Sequence, residues 1–171
     1  MIKIYTDGAC TKNGRAGSKG GFGVYSYGLI EHSENVPNNT TNNICELLGI
    51  KYALEWVRRT YPNGDVLICS DSVYSMNCVT KWIHGWKRNN WLTSNSKPVK
   101  NKELIESISN LLDELNVSQN ITFKYVSNNK HRKPPINCDG TITCNGCDGP
   151  CNNEDWVGNH EADRLATSSI I

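Results

Sequence analysis

Four acidic residues, Asp7, Glu46, Asp71 and Asp163, stand where carboxylates far apart in the chain could meet. Asp7 follows the alternating run IKIYT at 2–6, and Asp71 follows the short apolar run DVLIC at 65–69. Glu46 opens a helical pattern, and Asp163 lies in the last helical segment of the chain. In an open sheet flanked by helices, groups at one end of neighbouring strands gather into one site. Four carboxylates that close repel one another unless cations sit between them, and such hard oxygen donors suit Mg²⁺ or Mn²⁺. Two ions about 4 Å apart can activate a water and stabilise a leaving oxygen, which is the chemistry of phosphodiester hydrolysis. Taken singly, each residue has an ordinary reading: a solvated aspartate, or a glutamate complementing a helix dipole. Only their joint placement points to a site.

The elements that would position them follow from periodicity. Residues 2–6 read as a strand ending at Asp7-Gly8, 21–27 as a second, and 29–36 as its weaker hairpin partner. The Asn/Thr segment 38–43 offers helix-capping side chains, and Leu47, Ile50, Leu54 and Val57 then recur at helical spacing to about Arg59. Pro62-Asn63-Gly64 stops that helix, and residues 65–69 form a strand buried on both faces. Helical sequence follows Asp71 to about Lys81, then come a Trp-rich segment 82–91, a lysine-bearing loop 92–102 and a helix marked by Leu104, Ile108, Leu111 and Leu115. Residues 121–126 return to strand, 127–155 read as irregular, and a short helix is expected from about Asn159. A hairpin followed by alternating strands and helices predicts an α/β fold, a mixed sheet with helices packed on it.

The chain has 171 residues, enough for one domain with its own core. With 37% hydrophobic and 20% charged residues the composition is globular, and no apolar run reaches a membrane span. The N-terminus is too short and polar for a signal peptide, so the protein is expected to be cytoplasmic or otherwise intracellular, without a membrane partner, and monomeric. A net charge of +1 excludes no phosphate-bearing partner, because local patches decide; Lys81, Lys87, Arg88, Lys97, Lys100 and Lys102 form one candidate patch. Eight cysteines without an export signal argue for thiols or metal ligands over disulfides. Cys10, Cys45, Cys69 and Cys78 read as small buried hydrophobes. Cys138, Cys144, Cys147 and Cys151 crowd into a glycine-bearing stretch, where they either enclose a structural Zn²⁺ or belong to a flexible cysteine-rich loop.

Several motifs resemble a known family. Tyr5-Thr6-Asp7-Gly8-Ala9-Cys10 with Gly20-Gly21-Phe22-Gly23-Val24-Tyr25 is similar to the opening hairpin of type 1 ribonuclease H. Thr41-Asn42-Asn43-Ile44-Cys45-Glu46 resembles its T-N-x-x-A-E step, Ser70-Asp71-Ser72 its strand-end S/T-D-S, and residues 158–166, GNHEADRLA, its closing G-N-x-x-A-D-x-L-A. The resemblance implies a five-stranded mixed sheet of order 3-2-1-4-5 with helices on both faces. It also implies metal-dependent cleavage of the RNA strand of RNA–DNA hybrids, leaving 5′-phosphate and 3′-hydroxyl ends, with Asp7, Glu46, Asp71 and Asp163 as ligands to two Mg²⁺ ions, or Mn²⁺ in their place. Recombination nucleases and integrase cores share that fold class but usually lack the closing motif and the tryptophan-bearing basic segment. A catalytically idle hybrid-binding module would be expected to lack a carboxylate, and none is lost here.

The same resemblance assigns the substrate contacts. Residues 82–91, WIHGWKRNNW, look like the basic protrusion that holds the DNA strand, with Trp82 and Trp86 on one helix face and Tyr74 at the family's aromatic position. The competing reading makes these tryptophans core anchors, and it stays open for Trp91. Asn42 and Asn43 match residues that read the hybrid minor groove, and Thr41 and Asn101 match a DNA-phosphate pocket. Asn39 stands where relatives can carry arginine, so phosphate binding there is expected to be weaker. A histidine follows the family's last strand; His131 is its candidate here, although 32 positions separate it from Asp163, more than the family pattern has. The extra length forms a Cys-rich insertion at about 132–155 within a single catalytic domain, 1–171. With no second hybrid-binding module ahead of Met1, processive cleavage and tight anchoring are expected to need a partner or to be absent.

Overall fold

The computed structural model describes residues 1–126, 141–142 and 151–170, with backbone alone for 141–142 and 151–153. Strands β1 (Ile2–Thr11), β2 (Lys19–Ser26) and β3 (Ile30–Val36) form an antiparallel meander. Helix α1 (Asn42–Thr60) crosses over to β4 (Val66–Ser70), which pairs parallel with β1. A helical stretch follows, built of α2 (Val73–Asn77), a π-helical turn (Cys78–Trp82) and α3 (Ile83–Arg88), and then α4 (Lys102–Leu115) and β5 (Ile121–Tyr125). A two-stranded ribbon, β6 (Thr141–Ile142) with β7 (Cys151–Asn152), precedes α5 (Asn153–Ser168). The main sheet has the order β3-β2-β1-β4-β5, as the sequence motifs imply.

Alternation in the strands divides the side chains between two faces. Ile4, Val24, Val66 and Ile68 point to the side covered by α1 and α4, where they meet Leu47, Ile50, Leu54, Ile105 and Ile108 in the main core. Tyr5, Cys69 and Val126 point the other way and pack with Ala162 of α5. Helix α1 starts because Thr41, extended at φ −129°, accepts the Ile44 N–H in its side chain. It stops at Tyr61, whose N–H closes on Val57, just before Pro62. Helix α5 can lie against β2 because Gly23 has no side chain; a Cβ there would come within 2.3 Å of the Ala162 carbonyl.

Four expectations change. Strand β1 does not end at Asp7: its pairing with β4 stops at Thr6, but its antiparallel pairing with β2 continues to Thr11 against Lys19. Helix α1 begins at Asn42, so Glu46 lies in the second turn and is not a first-turn partner of the dipole. Helix α5 begins at Asn153, six positions before the expected Asn159, so residues 153–155 are helical. Among the four cysteines expected to be buried, Cys45, Cys69 and Cys78 are, but Cys10 is half-exposed and its thiol donates to the Thr11 and Thr40 carbonyls. Among the described residues no helix is long and apolar enough to cross a membrane.

Candidate active site

Asp7 and Asp71 are the first residues beyond the point where β1 and β4 cease to pair, Thr6 being opposite Ser70. In a parallel ladder the next residue of each strand continues in register, so the two carboxylates emerge side by side. Glu46 is brought to them by contact between backbones. Gly8 lies beneath the second turn of α1, and a Cβ on it would sit 2.4 Å from the Glu46 amide nitrogen. Carboxylate oxygens of Asp7, Glu46 and Asp71 consequently lie within 4.8 Å of one another. Asp163 comes from α5, where it is exposed at the rim of this set and within hydrogen-bond reach of Asp7.

The electrostatics follow from crowding and burial. Burial, then the charges of Glu46 and Asp71, push the Asp7 carboxyl far above the usual carboxylate range. Glu46 is raised to about 8 by burial and by Asp71, against hydrogen bonds from Asp7 and the Gly8 amide. Burial raises Asp71 as well, offset in part by hydrogen bonds involving Asp7 and Asn159. The Gly8 N–H donates to Asp7 Oδ1 at 2.9 Å. Glu46 Oε2 is buried and accepts no hydrogen bond. A buried acceptor without a donor, beside two further carboxylates, is suited to a hard divalent cation and poorly explained without one.

The closing motif contains Asn159 but gives it no role of its own. Asn159 is 2% exposed, one helical turn before Asp163, and it holds Asp71 by a hydrogen bond. The i, i+4 spacing to Asp163 is the signal that could have found it.

The expected substrate-contacting residues fall into two groups. Tyr74, Trp82, Trp86 and Trp91 form a row of rings with successive centroids 6.1, 5.9 and 6.1 Å apart. Trp82 is 43% exposed, whereas Trp86 and Trp91 are half-buried and lean on the main core. An open groove of about 590 Å³ runs past Lys81, Trp82, Trp86, Arg88 and Thr93. Asn101, with φ +60°, donates from Nδ2 to the Tyr74 hydroxyl at 3.1 Å. Of the expected cationic patch, Lys87 faces Asp113 at 3.8 Å and Lys102 stands 5.9 Å over the Trp91 ring.

The second group surrounds the start of α1. Thr41 is occupied as its cap, Asn42 and Asn43 are exposed in its first turn, and the Asn42 amide donates to Asn13 Oδ1. Asn39, also at positive φ, uses its side chain to accept the Gly17 N–H. His160, exposed on α5, stacks on Trp156 at 5.1 Å. His131, Cys138, Cys144 and Cys147 lie outside the described residues, and Cys151 is described only through the backbone of β7.

A mixed sheet of this order, with carboxylates collected where strands β1 and β4 cease to pair, defines a metal-dependent hydrolase of the ribonuclease H type of fold. The family model for RNase H matches residues 1–171. Ribonuclease H of Clostridium botulinum is 40% identical over 121 residues, covering 68% of this chain and 78% of that protein. Ribonuclease H of Rhizobium meliloti is 41% identical over 126 residues, covering 73% and 76%. The chain belongs to the ribonuclease H family. Its fold is similar to that of a ribonuclease H1 solved in complex with RNA/DNA hybrid, with a TM-score of 0.58, 20% identity and coverage of 99% and 96%.

Proposed function

We propose that this protein is an endoribonuclease that hydrolyses the RNA strand of RNA–DNA hybrids and leaves 5′-phosphate and 3′-hydroxyl ends. The observation that carries the reading is the convergence of Asp7, Glu46 and Asp71 within 4.8 Å, with one buried Glu46 oxygen lacking a donor. Family membership and the hybrid-bound relative of the same fold support the choice of substrate.

Asp7, Glu46, Asp71 and Asp163 would hold two Mg²⁺ ions, with Mn²⁺ as a substitute. When bound, such ions supply an activated water and stabilise the departing 3′-oxygen. The chain's own part is to fix the carboxylates and the duplex. The β1–β4 ladder sets Asp7 beside Asp71, the Gly8 contact seats Glu46, and Asn159 orients Asp71. Tyr74, Trp82 and Trp86 would pack on the deoxyribose strand, with Lys81 and Arg88 facing its phosphates. Asn42 and Asn43, exposed at the start of α1, would reach the minor groove, where the 2′-hydroxyl marks RNA. Thr41 and Asn101 would take a DNA phosphate.

The remaining assignments belong to the same reading. Residues 1–171 form one catalytic domain, monomeric and intracellular, with a Cys-rich insertion at about 132–155 whose last three residues open α5. His131 assists proton transfer or product release. Cys138, Cys144, Cys147 and Cys151 would either hold a structural Zn²⁺ or belong to a cysteine-rich loop, and zinc content below about 0.2 equivalents, with no response to chelator, would remove that ion from the account.

The test is incubation with labelled RNA–DNA hybrid, RNA duplex and DNA duplex in Mg²⁺ or Mn²⁺. The hybrid alone is cut, within its RNA strand, and Asp71→Asn abolishes the cut. An intact hybrid, or cleavage indifferent to Asp71→Asn, would defeat the proposal.

A further inference from the structure

The first turn of α5 carries a buried charge that the chemistry at the carboxylates does not use. Asp155 is 1% exposed. Its Oδ1 accepts the Tyr5 hydroxyl at 2.7 Å, its Oδ2 accepts Lys124 Nζ at 2.9 Å, and Lys3 Nζ stands 3.6 Å from Oδ1 while reaching Glu154 at 3.0 Å. Burial alone would raise the carboxyl, yet the hydrogen bonds from Tyr5 and Lys124 and the two ammonium charges outweigh it and hold Asp155 below the usual range. One side chain thereby ties α5 to β1 through Lys3 and Tyr5 and to β5 through Lys124.

This tie stands on the same helix face as the site. Asp155, Asn159 and Asp163 follow at i, i+4 and i+8, so the anchor lies about 12 Å along the axis from Asp163 and about 6 Å from Asn159. The intervening turn is held closely: a Cβ on Gly158 would come within 2.3 Å of the Tyr5 ring. On either side of Asp163 the helix is seated again, by Ala162 and Ala166 against Gly23. Between these two supports the helix has little freedom to slide or roll, and that freedom is what would displace Asn159 from Asp71 and Asp163 from Asp7.

We propose that Asp155, with Tyr5 and Lys124, is a positioning cluster that sets the axial place of α5 and so the two groups α5 delivers to the metal-binding carboxylates. The inference rests on the reading of Asp71 and Asp163 as ligands. Asp155 acts through Asn159 and Asp163. The cluster does for the start of α5 what apolar packing does at its end, since Glu154 and Asp155 meet the sheet through polar contacts to Lys3, Tyr5 and Lys124.

The experiment compares wild type with Asp155→Asn, which keeps an acceptor for Tyr5 but removes the negative charge that Lys124 meets at Asp155. It also includes Tyr5→Phe, which keeps the ring against Gly158 and loses one hydrogen bond. For each, kcat and KM on an RNA–DNA hybrid are measured, together with calorimetric titration of Mn²⁺ into the free protein. A misplacement of about 1 Å can cost up to a hundred-fold in rate. The expected result is a ten-fold or greater fall in kcat for Asp155→Asn and a smaller fall for Tyr5→Phe. KM stays within about two-fold of wild type, and Mn²⁺ binds several-fold more weakly without substrate. Folded variants with wild-type kcat and an unchanged Mn²⁺ titration overturn the proposal and leave a stability anchor only. If Asp155→Asn does not fold, Tyr5→Phe decides by the same two readings. Failure of the wild type to cut the hybrid strikes the functional reading instead, and the Mn²⁺ titration of the variants still tests the positioning.

Discussion

Replacing Asp7 with asparagine should make the metal-free protein more stable while abolishing its activity. The amide keeps the acceptor that Gly8 uses at Oδ1 and removes one of three carboxylates confined within 4.8 Å. At that separation two full charges repel by about 3 kcal/mol for an effective dielectric near 20. Because Asp7 and Glu46 are both raised, the folded protein relieves part of the repulsion by taking up protons, and about 1–3 kcal/mol remains to be recovered. For a chain of this size that corresponds to roughly 3–10 °C in Tm. The pH dependence has a definite sign. Carboxyls whose folded pKa is raised stabilise the fold fully below the unfolded value near 4 and progressively lose that contribution as pH rises through the folded value, about 8 for Glu46. The advantage of Asp7→Asn in chelator should therefore grow from pH 5 to pH 8, and saturating Mg²⁺ or Mn²⁺ should shrink it by stabilising wild type more than the variant. Calorimetric or fluorescence melting in both conditions reads this directly. A variant no more stable than wild type in chelator at pH 8, or one stabilised by the metal as much as wild type, would refute the claim that repulsion is stored at this site.

Trp82→Ala should raise KM for the hybrid roughly ten-fold, the equivalent of about 1–2 kcal/mol of lost stacking, while kcat at saturation changes little; steady-state kinetics with an unchanged KM would return Trp82 to a packing role. Gly8→Ala forces a methyl against the Glu46 amide and should cost about 1–3 kcal/mol in urea denaturation together with most of the activity. Asp155, whose folded carboxyl is held below the usual range, contributes stability above pH 4 that disappears as pH falls through its folded value; melting curves of wild type and Asp155→Asn should accordingly converge as pH falls below about 4.

Where motif and periodicity agreed, the chain could be read closely. Leu47, Ile50, Leu54 and Val57 fall on the buried face of α1, and the strand order around β1 came from the hairpin and closing motifs. The continuation of β1 past Asp7 was hidden because residues 8–11 lack alternation, and only their partner strand, β2 with its glycines, makes them a strand. The start of α5 was hidden for a different reason. Asn153, Glu154 and Asp155 look like loop in sequence, and the residues that neutralise Asp155 are Lys3 and Tyr5 at the other end of the chain and Lys124 on β5. Glu154 and Asp155 in a first turn are nonetheless a helix-start signal that could have been weighed. Lys87 was legible as a cation but its pairing with Asp113 was not, since nothing local links α3 to α4. His131 and the cysteine set, where the family pattern is interrupted, fall outside the described residues.

The register between β1 and β4 has a consequence for how this site can change. Neighbouring strands lie about 4.8 Å apart whatever side chains they carry. Asp7 and Asp71 stand on the same rung, one past the last β1–β4 pair, so the gauge between them belongs to the backbone lattice, as the spacing of two teeth belongs to a comb. Core substitutions that preserve the ladder leave that gauge intact, and the strands can diverge widely in sequence without resetting it. Lengthening one tooth is a different matter: Asp→Glu at either position conserves charge yet carries the carboxylate roughly 1.5 Å further out on a side chain with one more torsion. The shorter acid suits both positions because the sheet has already measured the distance.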